Sequence, residues 1–286
     1  MFLVKLTKSK ELSILHYLFC TFALLKQITI MQGNKKPLIF ITNDDGVHAK
    51  GINDLIKSFR DLGEIFVIAP EGARSGMSSA ITTSVPLQVK KLNEEDDLTI
   101  YSCTGTPVDC VKLGVDEILD RKPDLLVSGI NHGSNAAVSV IYSGTIGAAI
   151  EGCIVGIPSI GISLTDHSTD ADFSEAARLG KQVAKKVLQT GLPNGTCLNL
   201  NIPNIEKVAG IKICAQTKGR WVKEFLLEKD SNGELNYRLT GSFHNEEPEN
   251  SSTDEWVLKE GYASLVPVKI DMTDYSFIEE LKHWEE

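Results

Sequence analysis

Two adjacent carboxylates, Asp44 and Asp45, follow the apolar run Leu38-Ile39-Phe40-Ile41-Thr42 and precede Gly46. Neighbouring carboxylates at a strand end repel unless positive charge lies between them, and a hard divalent cation with oxygen ligands meets that need. Gly46 lets the backbone turn sharply beneath such an ion. The competing reading is that both aspartates lead into the next helix, whose dipole favours negative charge there. On these residues alone the two readings weigh equally. Arg74-Ser75-Gly76 and Ser128-Gly129-Ile130-Asn131 are two further polar clusters behind apolar runs. Each has an ordinary explanation, an exposed loop and an asparagine turn. Ser143-Gly144-Thr145-Ile146-Gly147 opens a helix with bare N–H groups, an anion cradle suited to phosphate, although capping by Ser143 and close packing of small residues also account for it. Thr106 and Asp109 read as helix caps and nothing more. His48 and His132 lie near these clusters and receive no catalytic role, because a lone histidine is more often surface or satisfied core.

These residues need a scaffold that brings strand ends together. Leu38 to Thr42 reads as a buried strand, too short and β-branched for a helix. Ile52, Leu55, Ile56 and Phe59 fall at helical spacing, with Gly63 as the stop, and Ile65 to Ala69 is the next strand. That β-α-β unit implies parallel strands with a right-handed crossover. Pro70 to Ser84 reads as a loop. Val85 to Leu92 and Leu98 to Cys103 read as a strand pair around the acidic turn Asn93 to Asp97. Thr106-Pro107-Val108-Asp109 opens a helix, with threonine as cap and proline at the first position. Leu125 to Ile130 is a central strand, Ser143 to Val155 a small-residue helix, and Pro158 to Leu164 a strand. Ala171 to Gln189 is an amphipathic helix ended by Gly191, and Cys197 to Ile202 the last core strand. Beyond Asn204 short strands are expected over Ile211 to Gln216, Trp221 to Leu227 and Asn236 to Leu239, with an acidic loop from Ser242 to Glu255. The fold class is α/β: a Rossmann-like, mostly parallel sheet with helices on both faces, plus a β-rich C-terminal extension. The expected divisions are 1–30, 31–203 and 204–286. In such sheets ligands bind outside the carboxyl ends of the strands, where all three polar clusters fall.

With 286 residues the chain can bury a full-size core, and 42% apolar with 23% charged residues is ordinary globular composition. A net charge of -9 makes it a poor partner for duplex nucleic acid. The six cysteines, Cys20, Cys103, Cys110, Cys153, Cys197 and Cys214, form no C-x-x-C pair, and only Cys20 has a histidine (His16) nearby in sequence. They read as reduced small hydrophobes, which favours a cytoplasmic address. Before Met31, Lys5, Lys8 and Lys10 precede an apolar stretch from Leu12 to Leu25 that loosely resembles a signal peptide. It is too short to span a bilayer comfortably, and no small-residue cleavage site follows. Translation starting at Met31 is the favoured explanation, and no membrane association is expected.

Ile41-Thr42-Asn43-Asp44-Asp45-Gly46-Val47, Ala69-Pro70 with Ser75-Gly76, Gly105-Thr106-Pro107-Val108-Asp109-Cys110-Val111, Ser128-Gly129-Ile130-Asn131-His132-Gly133-Ser134-Asn135 and Tyr142-Ser143-Gly144-Thr145-Ile146-Gly147-Ala148-Ala149 together resemble the SurE family. Those are stationary-phase survival proteins with 5′/3′-nucleotidase activity. Order and spacing match over about Pro37 to Leu164, and Asn199 to Pro203 and Gly261 to Leu265 extend the likeness more weakly. The resemblance implies that Asp44, Asp45, Ser75 and Asn131 ligate one divalent cation per subunit, magnesium or manganese. It also implies a phosphate pocket near Asn43, Gly133, Asn135, Ser143, Gly144 and Thr145. A homodimer or homotetramer built through the C-terminal part is implied as well.

The expected reaction is hydrolysis of a nucleoside monophosphate, the cation neutralising phosphoryl oxygens and activating water, with Asp44 or Asp45 orienting that water. A route through an aspartyl-phosphate wants a D-x-D arrangement, which the adjacent pair does not match. A receiver-like signalling module wants a phospho-accepting aspartate at the central strand end, where this chain has Ser128 to Asn131.

Overall fold

Alternation along the first strand decides the layering. The structure, a computed structural model, is described over residues 36–285, so the stretch before Met31, with Cys20 and His16, lies outside the described residues. In β1 (Leu38–Thr42) Ile39 and Ile41 point to one face, against α1 (Lys50–Phe59) and α5 (Ser174–Thr190). Leu38 and Phe40 point to the other, towards α2 (Pro107–Leu113) and α4 (Gly144–Ile154). Both faces are therefore covered, and every residue of β1 is buried, which is why the strand reads as an unbroken apolar run.

The remaining strands of the large sheet are β2 (Glu64–Pro70), β3 (Val89–Glu95), β4 (Leu98–Cys103), β5 (Leu125–His132), β6 (Ser159–Leu164), β7 (Thr196–Ile202), β8 (Ile211–Ile213) and β13 (Ala263–Lys269). Their order is β3-β4-β2-β1-β5-β6-β7-β13-β8. β4, β2, β1, β5, β6 and β7 run parallel; β3 is antiparallel to β4, and β13 antiparallel to β7. β1 pairs with β2 on one side (Ile39 opposite Ile65) and β5 on the other (Thr42 opposite Ser128). The chain thus winds outward in both directions from β1, and the crevice this leaves at the carboxyl ends of β1 and β5 is where such sheets bind ligands.

Beyond β7 the chain does more than add a β-rich tail. β8 and β13 return to the large sheet, while β9 (Gly219–Val222) pairs with β12 (Ser242–Asn245) and β10 (Phe225–Lys229) with β11 (Leu235–Leu239) as separate ribbons. Two short helices, α6 (Asp254–Lys259) and α7 (Tyr275–Leu281), complete this region.

Several boundaries differ from the sequence reading, each for a local reason. α1 ends at Phe59, and Gly63 acts instead through close approach: a Cβ there would lie 2.1 Å from the Pro37 carbonyl oxygen. β3 starts at Val89 and absorbs Asn93 to Glu95, with an irregularity between Lys91 and Asn93, so the turn shrinks to residues 96–97. The stretch expected as Trp221 to Leu227 splits into β9 and β10 at Lys223, whose φ of 52° breaks the strand. α5 begins at Ser174, after Asp172 takes the Ser174 N–H. β5 runs on to His132, a short helix α3 (Ser139–Tyr142) precedes α4, and the expected acidic loop holds β12 and the start of α6.

Candidate functional site

The turn after β1 is shaped from within. Asn43, 0% exposed, donates its Nδ2 to the Gly46 carbonyl (3.0 Å) while its Oδ1 accepts the Gly46 N–H (3.2 Å). That closes a small ring around Asp44 and Asp45, and Gly46 sits at φ 102°, backbone that glycine alone adopts easily. A Cβ on Gly46 would also lie 3.2 Å from Gly72, so this loop and the one after β2 touch. Arg74 fastens them: its N–H donates to the Asp44 carbonyl at 2.7 Å and its guanidinium to the Thr104 carbonyl at 2.8 Å. Ser75 follows, exposed. Asn43, expected at the phosphate, is spent on building the loop.

Asp44 is 4% exposed and Asp45 half-buried. Burial pushes the Asp44 carboxyl up to about 6; the Thr145 hydroxyl opposes the rise, and the neighbouring Asp45 charge adds to it. Asp45 is raised too, by burial first, with the His132 backbone N–H (3.2 Å to Oδ2) and the His132 ring holding it back. Neither lysine nor arginine is among the main influences on either group, and the cationic influence named for Asp45 is the His132 ring. Two neighbouring raised carboxylates with no lysine or arginine prominent beside them are what a bound metal ion would resolve.

The other ligand candidates come from β5. Asn131 donates its Nδ2 to the carbonyls of His132 (3.1 Å) and Gly133 (2.8 Å), which turns its Oδ1 away from them as a free acceptor. Beneath it, Gly129 has φ 139° and a Cβ there would lie 2.4 Å from the Ile162 carbonyl oxygen, so the bulge that aims Asn131 tolerates only glycine. The candidate donors are two carboxylates, one amide oxygen and the hydroxyl of Ser75 on the loop after β2. Among the described residues no group of three or more His, Cys, Asp or Glu side chains gathers as a metal site. Hard oxygen donors of this kind fit magnesium or manganese better than zinc or copper.

The amino end of α4 meets the same point. Ser143 caps the helix by accepting the Ile146 N–H at 3.1 Å. Gly144 touches Asp44 so closely that a Cβ would be 2.9 Å from the Asp44 Cβ. Thr145 gives its hydroxyl to Asp44 Oδ1. The helix end expected to cradle phosphate is therefore turned first to Asp44, which is the anion it steadies. Gly133, at φ 96°, lies under the His167 ring. Asn135 faces inward: its N–H donates to Asn201 Oδ1, its Nδ2 to Ser163 Oγ, and its carbonyl accepts from Asn199, each at 2.8 Å. Of the ten expected site residues, Asp44, Asp45, Asn131, Gly144 and Thr145 are brought into one cluster. Asn43 and Asn135 shape the loops around it.

Some partners were not apparent in the sequence. Thr106 and Asp109 do form a capping box, and they also hold the loop after β2: Thr106 Oγ donates to the Ala80 carbonyl and Asp109 Oδ1 accepts the Thr82 N–H. Asn199 and Asn201 alternate along an otherwise buried strand, a signal that was available. His132 places its ring edge-on to Phe173, 4.7 Å between centroids, and contributes to the site through its backbone.

Comparison with known proteins identifies the family. The family described as Survival protein SurE matches residues 39–223. The chain is 50% identical over 250 residues to the 5′-nucleotidase SurE of Phocaeicola vulgatus, covering 87% of this chain and 97% of that one. It is 50% identical over 252 residues to the protein of that name from Bacteroides fragilis, covering 88% and 99%. The crystal structure of the SurE protein from Aquifex aeolicus superposes with a TM-score of 0.75 at 36% identity, covering 87% of this chain and all (100%) of that one. This chain belongs to the SurE family.

Proposed function

We propose that Asp44, Asp45, Asn131 and Ser75 hold one magnesium or manganese ion, beside which the phosphate of a nucleoside 5′- or 3′-monophosphate is bound and hydrolysed. The chain is a divalent-metal-dependent 5′-nucleotidase: water attacks phosphorus, the P–O bond to the nucleoside breaks, and nucleoside and inorganic phosphate leave. The observation that supports the site assignment is the close approach of the amino end of α4 to Asp44, with Asp45 held by the His132 N–H next to Asn131, whose Nδ2 bonds leave its Oδ1 free.

The bound cation supplies Lewis acidity, offsetting phosphoryl charge and making an attacking water more acidic. The protein's own contributions are positional. Thr145 and the Gly144 contact hold the Asp44 carboxylate in one orientation, and the His132 N–H holds Asp45. The N–H groups of Gly144 and Thr145 have no acceptor within the helix and keep positive potential at the crevice. The Ser143 hydroxyl, which accepts from Ile146, retains its proton to donate to a phosphate oxygen, and Gly133 with its neighbours forms the opposite wall. Asp45→Asn tests this reading: manganese content and turnover should both be nearly lost. Unchanged turnover would remove the assignment.

A homodimer or homotetramer is proposed through the C-terminal part. Phe225, Tyr237 and Leu239 on the β10–β11 ribbon are 65%, 70% and 68% exposed, and no residue of α7 is buried. A cavity of about 920 Å³ lined by Val140, Ile141, Ile150, Val266, Val268 and Met272 lies apart from Asp44 and Asp45 and offers apolar surface of the kind a second copy covers. The protein is proposed to be cytoplasmic; the five described cysteines are free and buried. Among the described residues no helix is long and apolar enough to cross a membrane.

A further inference from the structure

The segment that leaves β5 at Asn131 and reaches Gly144 beside Asp44 contains one strained residue. Ala137, 1% exposed, has φ 51°, a conformation that a residue with a side chain adopts only when its surroundings impose it. The holding group lies 117 positions along the chain: the Ala137 N–H donates to Asp254 Oδ2 at 2.8 Å. The other carboxylate oxygen of Asp254 accepts the Thr217 N–H (3.0 Å), the Thr217 hydroxyl (2.6 Å) and the Glu255 N–H (2.9 Å). Asp254 is 1% exposed, and all four of its described donors are backbone amides or a hydroxyl. A buried carboxylate is expensive compared with a neutral cap. Its particular capacity is two acceptor oxygens for two separate segments, and here both are used.

We propose that Asp254 is a positioning residue for the phosphatase reaction: through the Ala137 N–H it fixes the 133–138 loop against the site and so sets affinity for the phosphate end of the substrate. Thr217 lies just before the β9–β12 ribbon, so the same carboxylate ties that loop to the base of the C-terminal extension. The inference rests on the reading of Gly133 and its neighbours as a wall of the phosphate pocket.

Replacement by asparagine exposes the role because an amide has one acceptor where two are needed. Keeping oxygen towards the three donors of Thr217 and Glu255 turns NH₂ against the Ala137 N–H, and the loop loses its hold while the fold keeps its larger anchor. The experiment compares wild type, Asp254→Asn and Asp254→Asn/Ala137→Gly in the full chain. It measures kcat and KM for adenosine 5′-monophosphate, inhibition by inorganic phosphate, manganese affinity and Tm. Expected for Asp254→Asn are a KM and a phosphate inhibition constant raised about tenfold or more, with manganese affinity and kcat kept within about threefold. Glycine at 137 accepts the positive φ without being held, so the double variant should recover at least about threefold of the lost KM. A purely structural role would lower Tm while leaving KM of the folded enzyme unchanged, and that result overturns the proposal. So does parallel loss of kcat and manganese binding, or no recovery with glycine. Should Asp254→Asn fail to fold, Thr217→Val removes one donor to the same carboxylate; a KM raised about twofold to threefold with kcat unchanged is expected, and a wild-type KM contradicts the proposal. The underlying reading is tested separately, since it fails only if the wild-type enzyme lacks metal-dependent turnover or Asp45→Asn retains it.

Discussion

Asp44 carries opposing demands. Its carboxyl sits at about 6 instead of 3.8 because burial disfavours the charged form. A carboxyl raised in the folded state binds protons more readily than in the unfolded chain, so metal-free stability falls as pH rises from about 4 through about 6, and the penalty is complete above that. The gap corresponds to an upper value of about 3 kcal/mol. Asp44→Asn removes that penalty, so in EDTA at pH 8 this variant should be more stable than wild type by about 1–3 kcal/mol in urea unfolding, although inactive. A variant no more stable than wild type contradicts the electrostatic account. Thr145→Val keeps the shape and removes the hydroxyl that Asp44 accepts, so kcat/KM should fall roughly tenfold to a hundredfold, measured at saturating manganese. The polar positions Asp44, Asp45 and Asn131 stand out in the sequence because each follows a recognisable apolar run, although those residues alone left a metal site and an ordinary turn or helix lead-in evenly matched. The role of Thr145 as Asp44's partner, and the second bonds of Thr106 and Asp109, were not, because their partners lie 101, 26 and 27 positions away.

At the scale of elements, the site depends on how near α4 comes to β1. Gly144 permits an approach that alanine would block, with a Cβ 2.9 Å from that of Asp44. Gly144→Ala should weaken manganese binding about tenfold or more with only a small change in Tm, because the displacement falls at a helix end rather than in the core. Isothermal titration with manganese alongside thermal unfolding would check it, and wild-type affinity would show that the contact gives way freely. The strands and helices of the core could be read from periodicity and from the cap at Thr106, with the first β-α-β unit forcing parallel pairing. The return of β13 to pair antiparallel with β7 could not, since nothing local to Ala263–Lys269 names a partner more than 60 positions earlier. The break at Lys223 was equally hidden, because lysine is not a residue whose presence announces a positive φ.

For the whole molecule, the exposed apolar side chains of the β10–β11 ribbon mark surface that a monomer would leave in water. Phe225 and Leu239 face each other across that ribbon. Aspartate at both positions adds charge where a second copy would pack, and light scattering should show a smaller assembly than wild type. An unchanged mass would place the interface elsewhere. Short C-terminal strands were visible from their alternating runs, but β12 within the expected acidic loop, β13, and the separation into two returning sheet strands and two ribbons required the three-dimensional pairing.

Oxygen donors from the end of β1, the loop after β2 and β5 are proposed to share one hard cation. Crystals grown with manganese and measured at its absorption edge test it most directly. A single anomalous peak is expected, bonded to Asp44 and Asp45 with Asn131 Oδ1 and Ser75 Oγ beside it. Crystals saturated with manganese that show no peak between the two aspartates would contradict it.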